Sequence, residues 1–159
     1  MRAGEIVGMT RLKTHRFPVD VRWLDGKLTL ASVPGKAPLP VATPPEFQGG
    51  IEGVWSPEDL FVGAVATCFT VTLVSAARRR NVPVRALEVR SFGDVTRRPD
   101  GRFGFVAVEL MVELETDAGH EGEAQGALLD AEESCLVAVS LDTPVSVHAH
   151  VTAAAAAAA

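Results

Sequence analysis

The chain has no tyrosine, only two cysteines, and no surplus of basic charge. Each shortage excludes something. Two cysteines, Cys68 and Cys135, cannot staple a disulfide-rich secreted scaffold. No CxxC or Cys/His spacing frames a structural zinc, and no metal or cofactor is expected. Lys and Arg total 15 against 20 Asp and Glu, a net charge of −5, which argues against a nucleic-acid binder. There is no phosphate-binding glycine loop and no Gly-x-Ser-x-Gly nucleophile elbow. The first 17 residues carry charges but no continuous apolar run, so no secretory signal is expected. A cytoplasmic chain with reduced thiols is the default expectation.

What is present is alternation, then one long apolar helix, then alternation again. Phe17, Val19, Val21 and Trp23 alternate with polar or small residues, the period of a half-buried strand. Asp25 and Gly26 follow, a hairpin signal, and a third short strand is read at 39–42. Ser56, Pro57, Glu58 and Asp59 then open a helix. Ser suits the N-cap, Pro the first helical position, and the acids complement the helix dipole. Ser56 with Asp59 resembles a capping box. The helix runs uncharged through residues 60–77 to Arg78, Arg79 and Arg80, and Asn81 with Pro83 ends it.

Those 18 residues would span about 27 Å as a helix, close to a bilayer core. Against a membrane reading stand Thr67, Thr70, Thr72, Ser75 and Gly63, and the amphipathic strands on either side. The expectation is a core helix with no membrane role. One short chain covers only part of such a helix, so the remainder is expected to pack on a second copy.

Two strands are read at 86–96 and 103–116, joined by a turn at 97–102. Val106, Val108, Leu110, Val112 and Leu114 form the inner face of the second. A second helix is read from 119 to 140 with Ala124, Leu128, Ala131 and Cys135 on one face. A last strand carries Val145, Val147, Ala149 and Val151. The order predicts an α+β layer of antiparallel hairpins with helices on one side. His148 and His150 share a strand face and read as solvated, and Arg78–Arg79–Arg80 as a solvated helix end.

Both cysteines lie on apolar helical stripes, where a free Cys often acts as a small hydrophobe. Yet Cys68 sits among hydroxyls in Ala66–Thr67–Cys68–Phe69–Thr70, and two helical thiols can touch if the helices cross. The segment from Trp55–Ser56–Pro57–Glu58–Asp59–Leu60 to Ala66–Thr67–Cys68–Phe69 resembles the OsmC/Ohr family, the osmotically inducible and organic hydroperoxide resistance proteins. That family has a Pro-Glu-x-Leu helix start with a reactive Cys ten residues after the Glu, as Cys68 follows Glu58. Its second Cys lies some 65 residues on, and Cys135 stands 67 after Cys68.

The resemblance implies an OsmC-like α+β fold, antiparallel β-sheets wrapped around two long central helices, in an intertwined homodimer. Residues 1–152 would be a single OsmC-like domain and 153–159 a poly-alanine tail. It implies a thiol peroxidase for oxidative-stress defence, reducing organic hydroperoxides. Cys68 would be the peroxidatic thiol, Cys135 the resolving one, Glu58 part of the supporting network, and an external dithiol the reductant. The family's thiolate-activating Arg lies in an N-terminal turn that here reads Trp23–Leu24–Asp25–Gly26–Lys27, with Leu24 in its place. That departure favours the alternative, a non-catalytic OsmC-like dimer holding an apolar ligand in its interface groove.

Overall fold

A computed structural model describes residues 14–154. The charged N-terminal segment 1–13 and the tail residues 155–159 lie outside the described residues. The chain divides into two compact units, Met1–Val54 and Trp55–Ala159.

In the first unit β1 (Asp20–Asp25), β2 (Leu28–Ser32) and β3 (Leu39–Ala42) form an antiparallel sheet in that order. The hairpin turn is Gly26–Lys27, one residue later than the Asp25–Gly26 signal, because Leu24 is bulged out of register between Trp23 and Asp25. Gly26 takes φ +49°, which favours glycine, and the Trp23 indole Nε1–H donates to its carbonyl oxygen at 3.0 Å. The loop after β3 is tied back where Ile51 N–H donates to Thr43 O at 3.0 Å and Lys27 Nζ–H donates to Gln48 O at 2.5 Å.

The second unit holds α1 (Pro57–Arg79), β4 (Val84–Arg97), β5 (Phe103–Thr116), α2 (Glu121–Ser134), a 3₁₀ turn (Ala138–Ser140) and β6 (Val145–Ala153). The capping box forms as read. The Ser56 hydroxyl accepts from Asp59 N–H at 3.0 Å, and Ser56 N–H donates to the Asp59 carboxylate at 2.8 Å. Val65, Phe69, Leu73, Ala76 and Ala77 make one buried stripe of α1. It packs with Val108, Leu110, Val112 and Leu114 of β5 and with Ala124, Ala127, Leu128 and Ala131 of α2. Both helices thus cover one face of the sheet, as the pattern predicts.

Three expectations are corrected. The sheet order is β4-β5-β6, with β4 and β5 antiparallel but β5 and β6 parallel. The α2 crossover returns the chain to the starting end of β5, where a hairpin cannot reach. The second helix stops at Ser134 instead of reaching 140, so only α1, of 23 residues, is long and α2 has 14. Finally, Val106 is not on the inner face. Asp94 pairs with Ala107 and Val95 with Phe105, leaving Val106 as a bulge. The extra residue turns Phe105 inward, where its ring stacks on Phe61 with centroids 4.3 Å apart. Ala153 completes β6, and Ala154 N–H donates to Thr116 O at 2.7 Å, so the alanine run begins inside the sheet.

Arg80 departs from the solvated helix end. Its guanidinium makes a bidentate pair with Asp130 of α2, at 2.8 and 2.9 Å, and reaches Glu123 at 3.2 Å. Arg80 holds the Asp130 carboxyl below its ordinary range. Gly126 gives this guanidinium room, since a Cβ there would lie 2.6 Å from Arg80 Nη1.

Gly93 shows how closely α1 approaches the sheet. A Cβ on it would lie 2.5 Å from Val62 Cγ2 and 2.7 Å from Phe105 Cε1. Gly93→Ala is therefore expected to destabilise the fold by about 1–3 kcal/mol through overpacking. Urea denaturation checks this, and an unchanged midpoint contradicts it.

Candidate active site

Cys68 lies mid-way along α1, beside the buried stripe and half-buried. Its surroundings explain the hydroxyls near it. Thr67 donates to Gly63 O at 2.7 Å, Thr70 to Ala66 O at 2.8 Å, Thr72 to Cys68 O at 2.8 Å and Ser75 to Val71 O at 2.8 Å. Each hydroxyl bonds a carbonyl four residues back, so none requires a partner beyond the helix. These residues therefore do not weigh against burial of the helix in apolar surroundings. The face left uncovered within the chain includes Ala64, Thr67, Val71 and Val74, with Val71 63% exposed.

Cys135 stands at the C-cap of α2, in extended conformation, rather than inside a helix. Its N–H still donates to Ala131 O at 2.9 Å, and its carbonyl accepts from Val139 N–H at 3.0 Å. The helix ends here because the next residues turn Val137, Ala138 and Leu141 back against the core. The Cys135 side chain is fully buried, and both thiols are free.

The fold brings the two cysteines together. Burial is the chief cause that pushes the Cys135 thiol above its ordinary value. The backbone N–H groups of Ala138 and Val137 oppose the rise, while the neighbouring Cys68 thiol adds to it. A half-buried thiol next to a sealed one on a second element is the arrangement a dithiol–disulfide pair requires.

Glu58 is not brought to this pair. It sits in the first turn of α1, ten residues or about 15 Å of helix before Cys68. Its Oε2 is buried and has no hydrogen-bond partner among the described residues. The histidines lie apart, on the outward face of β6, where His150 Nδ1 is 3.0 Å from Glu113 Oε2. Sequence reasoning missed the aromatic layer next to Glu58, formed by Phe61 and Phe105. The signal was hidden by the bulge, although the turn at 97–102 was legible.

A family model described as OsmC-like protein matches residues 50–150. The chain belongs to the OsmC-like family. The match covers both cysteines and Glu58. The uncharacterized protein YmaD of Bacillus subtilis is 26% identical over 128 residues, 77% of this chain and 84% of its own length. An OsmC-like protein of unknown function from Vibrio cholerae superposes with a TM-score of 0.80 at 16% identity, covering 86% of this chain and all of the other. An organic hydroperoxide resistance protein OsmC from Legionella pneumophila superposes with a TM-score of 0.68 at 22% identity, covering 87% of this chain and 99% of the other. These structures share the OsmC-like α+β fold.

The Cys135 environment gives a pH prediction. A thiol raised in the folded state keeps its proton when the unfolded thiol has lost it. Its contribution to stability is full below the unfolded value of about 8.5 and declines as pH rises past it. The fall in unfolding free energy between pH 8 and pH 10 should be shallower in Cys135→Ala than in the wild type. Equal slopes in urea titrations would contradict the assignment.

Proposed function

We propose that this OsmC-like protein is a thiol-dependent peroxidase that reduces organic hydroperoxides in oxidative-stress defence. The observation that carries the reading is the adjacency of two free thiols, one half-buried and one sealed, in a chain of this family. The Cys68 thiolate attacks the distal oxygen of the hydroperoxide. The O–O bond breaks, the alkoxide leaves and takes a proton to become an alcohol, and Cys68 becomes a sulfenic acid. The Cys135 sulfur then displaces the hydroxyl, giving a Cys68–Cys135 disulfide and water. An external dithiol restores both thiols by exchange and is itself oxidised to a disulfide. No cofactor takes part.

The working form in this reading is a cytoplasmic homodimer. The uncovered apolar stripe of α1 supports it, together with the internally bonded hydroxyls. Antiparallel pairing of α1 with a second copy carries the helix start of one chain toward the middle of the other. Glu58 then serves the Cys68 of the second copy, which its own helix geometry forbids within one chain. A second reading, a non-catalytic dimer with an apolar ligand in the interface groove, is favoured by one observation: Leu24 occupies the turn position where the family places its Arg.

Dithiol-dependent consumption of cumene hydroperoxide separates the two. Turnover is expected in the wild type and a loss of at least a hundredfold in Cys68→Ser; no wild-type turnover contradicts the peroxidase. One equivalent of peroxide without reductant should lower the protein mass by two hydrogens, and Cys135→Ser should abolish that change. In light scattering at micromolar concentration, a monomer would overturn the dimer.

A further inference from the structure

The outer face of the second unit's sheet carries donor side chains that neither the thiol pair nor the helix packing uses. β6 presents His148 and His150 there, and β5 presents Met111 and Glu113. All four are exposed. Their neighbours in sequence, Val147, Val151, Leu110 and Val112, belong to the core on the other side of the sheet.

Strand register gathers the four. β5 and β6 run parallel, with Met111 beside His148 and Glu113 beside His150. Neighbouring strands lie about 4.8 Å apart, and two residues along a strand span about 6.6 Å. Met111 therefore reaches His148 directly and His150 on the diagonal. Two imidazoles at positions i and i+2 need only lean together for both Nε2 atoms to sit about 2 Å from one ion.

The His150 ring is held in the orientation this requires. Its Nδ1 lies 3.0 Å from Glu113 Oε2. A carboxylate only accepts, so Nδ1 carries the proton and the free lone pair is on Nε2, at the outer tip of the ring. A carboxylate behind an imidazole is the usual support of a metal-bound histidine. The charges nearby favour a cation. Glu88, Glu109 and Glu115 share this face with Glu113, and Arg90 is turned onto Glu88 at 2.8 Å.

No three His, Cys, Asp or Glu side chains converge as metal ligands among the described residues. The third donor is the Met111 thioether, and it decides the metal. Imidazoles suit zinc, nickel and copper alike, whereas a thioether sulfur selects Cu(I).

We propose that His148, His150 and Met111 form a Cu(I)-binding site on the outer face of β5 and β6, with Glu113 holding His150 in its ligating tautomer. The site is separate from the thiol pair, which lies on the helix side of the sheet. It does not rest on the peroxidase reading.

The test titrates Cu(I), supplied as its bicinchoninate complex, into Cys68→Ser/Cys135→Ser protein under argon, so that neither thiol competes. Loss of the chelator's colour reports transfer, and one equivalent per chain is expected. His148→Asn and His150→Asn should each lower the affinity about a hundredfold, and Glu113→Ala about tenfold. Met111→Leu should lower Cu(I) affinity about tenfold while leaving Zn2+ affinity, read by calorimetry, unchanged. Ser146→Ala, one pair along the same face, should match the background. All of these positions are exposed, so the variants should keep the fold. If circular dichroism shows that the double serine background has lost it, the comparison is made with both thiols present. His148→Asn should then bind one equivalent less copper than the wild type. Undiminished copper binding in His148→Asn, or unchanged Cu(I) affinity in Met111→Leu, would overturn the site.

Discussion

The burial of one stripe of α1 on β5 organises the second unit. Phe69, Leu73 and Val65 are large and fully buried, and they meet Leu110, Leu114, Val108 and Val112, which are buried as completely. Apolar burial at this density leaves little freedom of position, because a close-packed layer tolerates neither voids nor added atoms. The absence of a side chain at Gly93 is part of the same fit. Everything chemically interesting is then placed by phase. Cys68 falls at the border of the stripe, between the packed face and the free one. Glu58 falls on the sheet side of the first turn.

The parallel return of β6 has a second effect. It requires α2 to cross the sheet face beside α1, and this crossing carries Cys135 to Cys68. Had β6 paired by a hairpin, no element would bridge back over the helix layer. The Arg80–Asp130 pair ties the two helices near that crossing, with Gly126 leaving space for the guanidinium. Structure and chemistry are therefore coupled. The residue that seals the end of α2 is also the one whose thiol faces the neighbour.

Much of this was legible in the residues. Ser56, Pro57 and Asp59 marked the start of α1 because capping is local chemistry between neighbours in sequence. Strict alternation marked β5, and Pro–Asp–Gly marked the tip of the β4–β5 hairpin. The ten-residue step from Glu58 to Cys68 and the second Cys at 135 identified the family and the candidate thiols. What failed was non-local. Strand direction depends on where a crossover lands, and no residue of β6 encodes it. The end of α2 carries no Gly or Pro after Ser134, and burial of Cys135 and Val137 decides it instead. Arg80 read as a solvated charge because its partner, Asp130, lies 50 residues away.

The single bulged residue, Val106, divides β5 into two stretches of opposite parity. From Val108 to Thr116 even-numbered positions face the helices, and from Phe103 to Phe105 odd-numbered ones do. The strand therefore obeys two substitution rules. A charge at 109 or 111 meets water, whereas a charge at 105 would displace an aromatic ring from Phe61. Straightening the bulge at unchanged length would run one alternation through the strand and carry both rings out to solvent, whereas loss of the residue at 106 would give a regular strand with both rings still facing the helices. The bulge itself, rather than the count of residues, is thus what reconciles the two rings with the apolar stripe that follows them.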